Sequence, residues 1–366
     1  MRGNVPIGLL ISGMTAFVLI GSAQSLYGPS LPVYMRDFAL SQKSAGVLIS
    51  AHWVGAFIAV ATMILRPRLL SAPLSLILMA LGAAALALQP TWVLMLAGAV
   101  VLGAGYGAVA AIFNPRFLHA FGARGPSMVG LLNAIFCVGA IGAPLVLLQF
   151  ANDPRWVFGL IAVVSVVVAP FAGGRGASGP AVSPDLYAGL RPGILVFGAL
   201  AIGFEACIIG LGPSALVISG LSEDRAAQLT SLFFVAFLLA RLSLIWVAPL
   251  LRPFNLLILA LIGEGVCALG AFMLSPGLFY VLAGVFVGMN FPAFFVCAVE
   301  RLGNDPRIGP MIIASGLVGG ITAPILVGAV LALTGEGGLF ALLAILALAT
   351  SGAALIVRGE MTRRLA

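Results

Sequence analysis

Charge is the scarcest feature of this sequence. Of its 366 residues only 8% are charged, 18 Lys or Arg and 11 Asp or Glu, whereas 62% are hydrophobic and a further 46 are glycine. A soluble domain carries about 25% charged residues, which help to cover its surface. So few charges exclude a soluble enzyme, a disordered chain and a nucleic-acid-binding protein. The composition predicts an all-α polytopic membrane protein.

Reactive side chains are equally few. All four cysteines lie inside apolar runs, and the two histidines, His52 and His119, lie in different segments. This spacing is typical of neither a disulfide framework nor a metal site. The sequence also lacks the His-Glu-x-x-His, nucleophile-elbow and Gly-x-x-x-x-Gly-Lys strings. We therefore expect no metal and no cofactor, and neither a membrane enzyme nor an ATP-driven pump.

The apolar residues form twelve runs, and a helix needs about 20 such residues to cross a bilayer. A stretch rich in Gly, Pro and Ser, residues 173–191, lies between the sixth and seventh runs and is typical of a linker. The sequence thus predicts an N-terminal six-helix half over residues 1–172 and a C-terminal six-helix half over residues 192–366. The expected spans are 7–34, 45–65, 72–90, 92–113, 128–150, 156–172, 192–219, 229–250, 254–274, 277–299, 311–334 and 338–357.

The basic residues of the loops are divided unevenly between the two faces of the membrane. Thirteen arginines fall on the side that carries both termini, and four basic residues fall on the other side. Cytoplasmic loops are enriched in Lys and Arg. We therefore expect both termini in the cytoplasm and the protein in a bacterial inner membrane.

Two short strings recur at a spacing close to half the chain. Val138–Pro144 and Val318–Pro324 agree at five of seven positions at an offset of 180, and Gly28–Ser30 is repeated as Gly212–Ser214 at an offset of 184. Both pairs fall in equivalent spans, the fifth with the eleventh and the first with the seventh. This pattern indicates that a six-helix unit has been duplicated.

Parallel six-span halves joined by a cytoplasmic linker are the plan of the major facilitator superfamily, which this sequence resembles over most of its length. Within the superfamily, three strings are most similar to the fucose and hexose proton symporters: Leu132–Pro144, Gly203–Glu205 and Gly288–Pro292. The resemblance implies transport of a small organic solute by alternating access, with the proton as coupling ion. The strings that carry it are Gly28–Pro32, Arg36–Gln42, Gly103–Gly107, Leu132–Pro144, Gly203–Glu205 and Gly288–Pro292.

The sequence also departs from the pattern of that family. The loop between spans two and three retains only Arg66-Pro67-Arg68, without the usual acid, and spans one and four lack the carboxylates of the sugar symporters. Proton coupling by the usual routes of that branch is therefore in question. Two alternatives stay open: a transporter-like assembly factor or receptor, and efflux of a drug or metabolite instead of uptake.

Three charged residues lie within the expected spans, where a charge facing lipid costs several kcal/mol. Glu205 lies about 20 Å from the cytoplasmic end of span seven, at 1.5 Å per residue. The resemblance implies that this span lines the central cavity, so Glu205 is the candidate to bind a proton or the solute. Arg241 and Glu264 lie at similar depths, about 12 and 15 Å, in consecutive spans. We expect them to form an intramembrane ion pair, or else Arg241 to face the cavity and bind an anionic solute.

Neutral polar residues within the spans are further candidates to bind the solute or a proton. His52 can titrate near neutral pH, and Asn290 precedes a proline that frees backbone carbonyls. Three prolines at helix-breaking places are expected to give flexible points for gating. We expect a monomer surrounded by membrane lipid, with a small-molecule solute and no nucleic acid as partner. The neutral candidates are Gln24, Tyr27, His52, Tyr106, Asn133 and Asn290, and the prolines are Pro144, Pro292 and Pro324.

Overall fold

The computed structural model describes residues 7–66, 69–173, 193–302 and 308–361. Within these ranges the chain forms twelve α-helices, which confirms the prediction of an all-α protein with twelve helical segments. The expected linker at 173–191 falls almost entirely outside the described residues, as do seven of the loop arginines. The helices are α1 Ile7–Asp37, α2 Gln42–Leu65, α3 Ala72–Leu88, α4 Trp92–Ala120, α5 Gly125–Gln149, α6 Pro154–Val168, α7 Gly193–Ile218, α8 Glu223–Val247, α9 Pro253–Met273, α10 Pro276–Leu302, α11 Ile308–Thr334 and α12 Leu339–Met361.

Eleven helical segments of the described chain are long and apolar enough to cross a membrane, and α3, at 17 residues, is a shorter apolar helix. The chain is therefore a multi-pass membrane protein. The division between α3 and α4 lies where the sequence predicts it. Gln89 adopts a left-handed conformation after α3, and the hydroxyl of Thr91 accepts a hydrogen bond from the amide of Leu94 at 3.3 Å to cap α4.

Several helices extend beyond the spans expected from hydrophobicity. Helix α4 continues through Pro115 to Ala120, seven residues past the expected end, and α1 continues to Asp37. The added turns contain polar residues, such as Asn114, that end an apolar run without ending a helix. Hydrophobicity marks the part of a helix that is immersed in lipid, whereas backbone hydrogen bonds decide its length.

The chain folds into two compact units. One comprises residues 1–30 and 51–179, and the other comprises residues 31–50 and 180–366. In the first unit α3 packs against α4 and α6; in the second, α7 packs against α11, α10 and α12, and α9 lies against α10 and α12. Residues 31–50, the end of α1, the turn after it and the start of α2, thus belong with the second unit. We call them the α1–α2 hairpin.

Glycines at repeated positions allow helices to touch through their backbones in both units. A Cβ atom on Gly139 of α5 would collide with the carbonyl oxygen of Val18 in α1. The equivalent Gly319 of α11, at the repeat spacing of 180, meets the carbonyl oxygen of Ala199 in α7 in the same way. Such contacts need a residue without a side chain, because helix axes this close leave no room for a methyl group.

A second glycine repeat joins other helices at a spacing of 181. Gly103 of α4 lies against the backbone carbonyl of His52 in α2, and Gly284 of α10 lies against that of Phe233 in α8. Each unit therefore packs its helices through the same pairs of backbone contacts. This packing explains Gly103, the first residue of the glycine run that is part of the family resemblance.

Candidate functional site

Glu205 lies in the most enclosed part of the chain that the structure describes. It is 9% exposed, and every residue of α7 from 203 to 216 is buried. Its Oε2 atom has no hydrogen-bond partner among the described residues. The carboxylate lies within electrostatic range of the Arg241 guanidinium from α8 and of the Glu264 carboxylate from α9. Three helices of the second unit therefore bring their charged groups to one region.

Glu264 is held by a neutral partner. Its Oε1 atom accepts a hydrogen bond of 2.6 Å from the side-chain amide of Asn290 in α10, and the same amide lies 3.4 Å from the carbonyl oxygen of Ala201 in α7. Glu264 is 4% exposed, Asn290 is fully buried, and the Glu264 Oε2 atom has no partner among the described residues. The Asn290 amide of α10 therefore bonds both Glu264 in α9 and Ala201 in α7, and Ala201 lies one turn before Glu205.

Glu264 also borders a small cavity between α7, α9 and α12. Its volume is about 10 Å³, the least that can hold a water molecule. A buried water needs two to four polar partners, whereas every other side chain that lines this cavity is apolar. Glu264 thus faces an apolar space on one side and Asn290 on the other. The apolar lining consists of Phe204, Ile208, Ala268, Leu343 and Ala347.

Arg241 is half-buried on α8, one turn after Phe237, and its Cζ atom lies 4.3 Å from the centre of the Phe237 ring. This is a cation–π contact. The Arg241 Nε atom is buried and has no hydrogen-bond partner among the described residues.

The expected ion pair between Arg241 and Glu264 does not form. No salt bridge joins these two residues in the part of the chain that the structure describes, and Glu264 is bonded to Asn290 instead. Only the depths of the two residues along their helices follow from the sequence. A depth does not fix the direction in which a side chain leaves the helix, and that direction brings Asn290 to Glu264.

Four of the neutral candidates come together in the first unit. The hydroxyl of Tyr106 donates a hydrogen bond of 2.6 Å to the side-chain carbonyl of Gln24, and the Tyr27 hydroxyl lies 3.2 Å from Nδ1 of His52. The ring centres of His52 and Tyr106 are 5.0 Å apart, with the rings edge to face. We call Gln24, Tyr27, His52, Tyr106 and their neighbour Trp53 the first-unit cluster.

Trp53 was not among the residues predicted from the sequence. Its indole ring lies edge to face with the rings of His52, at 5.4 Å, and Tyr106, at 5.8 Å. His52 is 1% exposed and its Nε2 atom has no hydrogen-bond partner among the described residues. The position directly after His52 in α2 is the one signal in the sequence that could have suggested Trp53.

The remaining candidates are placed apart from these groups. The Asn133 side chain donates a 2.9 Å hydrogen bond to the carbonyl of Val129, within its own helix. Pro144, Pro292 and Pro324 each lie inside a helix that continues past them, in α5, α10 and α11. Their role as flexible points stays a prediction.

The α1–α2 hairpin makes polar contacts that the sequence did not indicate. Arg36 forms a salt bridge of 2.6 Å with Glu223 at the start of α8, and the backbone amide of Gln42 donates a 2.7 Å hydrogen bond to the Glu336 carboxylate. The buried Gln42 side chain donates a 3.3 Å hydrogen bond to the Ser214 hydroxyl of α7. Each partner is distant in sequence, so no local pattern could reveal these bonds.

Comparisons with known proteins identify the fold. The sequence profile of the Major Facilitator Superfamily matches residues 13–307. A mutant of the nucleoside transporter NupG matches with a TM-score of 0.77 at 16% identity, covering 98% of this chain and 100% of that chain. A D-xylose-proton symporter matches with a TM-score of 0.73 at 16% identity, covering 99% and 98%. FucP, a superfamily transporter in the outward conformation, matches with a TM-score of 0.62 at 18% identity, covering 94% and 98%. No curated protein matches the sequence.

Proposed function

Because this chain belongs to the Major Facilitator Superfamily, we propose that it is a secondary active transporter that couples movement of a small organic solute to protons through Glu205. The solute crosses by alternating access, in which the protein exposes a central site first to one face of the membrane and then to the other. We further propose that the protein is a monomer in a bacterial inner membrane. The thirteen loop arginines on the side of both termini favour a cytoplasmic position for the termini.

The observation that carries this proposal is the position of Glu205. A carboxylate inside a membrane span is costly unless it is paired or protonated, and Glu205 has no salt bridge within the described residues while Arg241 lies in electrostatic range. Its charge can therefore be balanced either by Arg241 or by a bound proton. A group with two such states is suited to take up a proton on one side and release it on the other.

Two of the similar structures are, by name, a nucleoside transporter and a proton symporter for D-xylose. At 16% identity these likenesses support the fold rather than the solute. The name of the D-xylose-proton symporter makes coupling to protons the property to test first.

A solute screen followed by a flux assay tests the proposal. Purified protein is screened for compounds that raise its Tm, because a ligand that binds only the native state stabilises it. A compound found in this way is then offered to proteoliposomes with and without an inward proton gradient. We expect the gradient to drive accumulation in the wild type and not in Glu205→Gln, which should retain solute exchange without a gradient.

Accumulation by Glu205→Gln to the wild-type level would refute the assignment of coupling to Glu205. Thr334→Val is the control, since Thr334 is exposed at the end of α11 and its hydroxyl bonds the carbonyl of Val330 within its own helix. This variant should accumulate solute as the wild type does.

A further inference from the structure

Arg241 differs from other arginines of the described chain in the acceptors that surround it. Arg301 donates to the backbone carbonyls of Glu360 and Met361 at 2.9 and 2.8 Å, and Arg116 donates to that of Ala172 at 3.3 Å. These two lie near the ends of helices, where free carbonyls are available. For Arg241 the described residues provide neither a hydrogen bond nor a salt bridge, and its guanidinium lies over the face of the Phe237 ring. Its guanidinium thus retains unused donors.

Among the described residues, the carboxylates near Arg241 do not accept hydrogen bonds from its unused donors. Glu264 is bonded to Asn290, and Glu205 lies within electrostatic range but makes no salt bridge with Arg241 among the described residues. A guanidinium carries five N–H donors in a plane that matches the two oxygens of a carboxylate. In a membrane span an unpaired cation is expensive. The arrangement therefore suits an acceptor that comes from outside the protein.

The charges around the group restrict what that acceptor can be. The charged side chains in electrostatic range of Glu205 among the described residues are Arg241 from α8 and Glu264 from α9. Helix α10 adds the neutral Asn290 and has charges, Glu300 and Arg301, only in its last turn. Helix α11 has no charged residue, and α12 has charges only in its last turns. One cation beside a carboxylate can balance one negative charge at a time. A monoanion fits this balance, and a doubly charged phosphate does not.

The structure assigns Arg241 as the receptor for a solute that bears a single carboxylate. This inference rests on the proposed function and names its class of substrate. When the solute carboxylate binds the Arg241 guanidinium, Glu205 loses its balancing charge and takes up one proton from the medium. When the solute leaves, Glu205 releases that proton and is again balanced by Arg241. One proton thus accompanies one monoanion, and the charge of the group stays constant through the cycle.

A binding experiment with matched acids and amides tests this inference without any measurement of transport. The wild-type protein in detergent is titrated with sodium propionate, butanoate and benzoate, and separately with propionamide, butanamide and benzamide, while its Tm is followed. Each pair has the same shape and differs in charge. We expect at least one acid to raise the Tm and its amide to leave the Tm unchanged. Equal shifts with every acid and its amide, including no shift with either, overturn the inference.

Variants of two arginines sharpen the result. Arg241→Gln should weaken binding of the acid about tenfold or more, since it removes a charged group that can donate two hydrogen bonds to one carboxylate. Arg225→Gln is the control, because Arg225 is exposed at the start of α8 and bonds Gln228. An Arg241→Gln protein that keeps the wild-type affinity for the acid refutes the assignment. If this variant does not fold, the acid and amide pairs on the wild type decide alone.

The flux assay separates this inference from the proposed function. A neutral compound that binds and accumulates in a proton-driven, Glu205-dependent way contradicts the monoanion and leaves proton-coupled transport standing. An acid that binds through Arg241 but is not accumulated under a proton gradient supports the receptor and contradicts the proposed coupling.

Discussion

At the scale of single residues, Glu205 and Glu264 differ in the support they have for a negative charge. The Asn290 amide is the one hydrogen-bond donor to Glu264 among the described residues, and an apolar cavity borders its other side. Glu205 instead has the Arg241 cation within electrostatic range. A membrane interior tolerates a charge when an opposite charge is near. We therefore propose that Glu205 is the carboxyl group that takes up and releases the proton, and that Glu264 has a positioning role.

Replacing each carboxylate by its amide tests this division. Gln has the shape of a protonated Glu, so Glu264→Gln should keep proton-driven accumulation within about twofold of the wild type, whereas Glu205→Gln should abolish it. Accumulation is measured in proteoliposomes over a series of external pH values. Loss of accumulation in Glu264→Gln, with solute binding preserved, would show that Glu264 also exchanges its proton.

The hydrogen bond between Tyr106 and Gln24 should contribute to the stability of the first-unit cluster. A buried hydrogen bond contributes about 0.5–1.5 kcal/mol net, and removal of one partner costs the other partner that bond. We expect Tyr106→Phe and Gln24→Leu each to lower the Tm, and the double variant to lose less than the sum of the two. Thermal unfolding of the four proteins measures the coupling, and strictly additive losses would mean that the two side chains do not interact.

Individual polar residues are easier to predict from the sequence than the partners they bond. Gln24, Tyr27, His52 and Tyr106 stood out because polar groups within apolar spans are rare and costly. Their convergence could not be foreseen, because a helix that is apolar on all sides shows no face in its sequence. The pairing of Arg241 with Glu264 was wrong for the same reason.

At the scale of helices, glycine decides which pairs approach most closely. Gly139 and Gly319 meet backbone carbonyls of α1 and α7 at equivalent places in the two units. These two glycines lie at the same position of the repeated strings Val138–Pro144 and Val318–Pro324. The repeat shows that the positions are equivalent, but it does not show that glycine is needed there for close packing. The equivalence of Gly103 and Gly284, at a spacing of 181, could not be predicted, because single glycines do not stand out in a chain that has 46 of them.

Two glycines of α5 provide a matched test of this packing. A methyl group on Gly139 would collide with the Val18 carbonyl, whereas one on Gly142 would meet nothing within 4 Å. We expect Gly139→Ala to lower the Tm by about 5 °C or more, because the helices must separate. Gly142→Ala should leave the Tm unchanged or raise it slightly, since Ala favours helix. Equal effects at both positions would contradict the close approach of α5 and α1.

The α1–α2 hairpin is held by charges that also favour the helix ends they touch. Glu336 accepts from the first residue of α2, Glu223 begins α8, and Arg36 lies in the last turn of α1. An anion at a helix start and a cation at a helix end are each favoured by about 0.3–1 kcal/mol. Each of these contacts contributes only a small free energy to holding the hairpin.

Reversal of the Arg36 and Glu223 charges tests this contact. Ser214 is buried beneath the hairpin and bonded to Gln42, so Ser214→Cys should react slowly with a membrane-impermeant maleimide. Adding Arg36→Glu or Glu223→Arg should speed labelling about threefold or more, and the two together should restore the slow rate. Ser219→Cys, exposed at the end of α7, should react quickly in every background. Unchanged labelling of Ser214→Cys in the single variants would show that the salt bridge does not hold the hairpin.

At the scale of the whole molecule, composition predicts most of the result. A chain with 8% charged residues and twelve apolar runs can satisfy its backbone in lipid as a helical bundle. The number of helices followed from the length of these runs, and the family from their order and the strings within them. The grouping of residues 31–50 with the second unit could not be predicted, because it depends on contacts between segments far apart in the chain.

The central claim is that Glu205 carries the proton that accompanies the solute, and proton movement itself tests it most directly. Proteoliposomes that contain a pH-sensitive dye are given an inward gradient of a bound solute, with no pH gradient imposed. The wild type should acidify the lumen as solute enters, and Glu205→Gln should admit solute without any change of pH. Acidification by Glu205→Gln at the wild-type ratio of protons to solute would contradict the account.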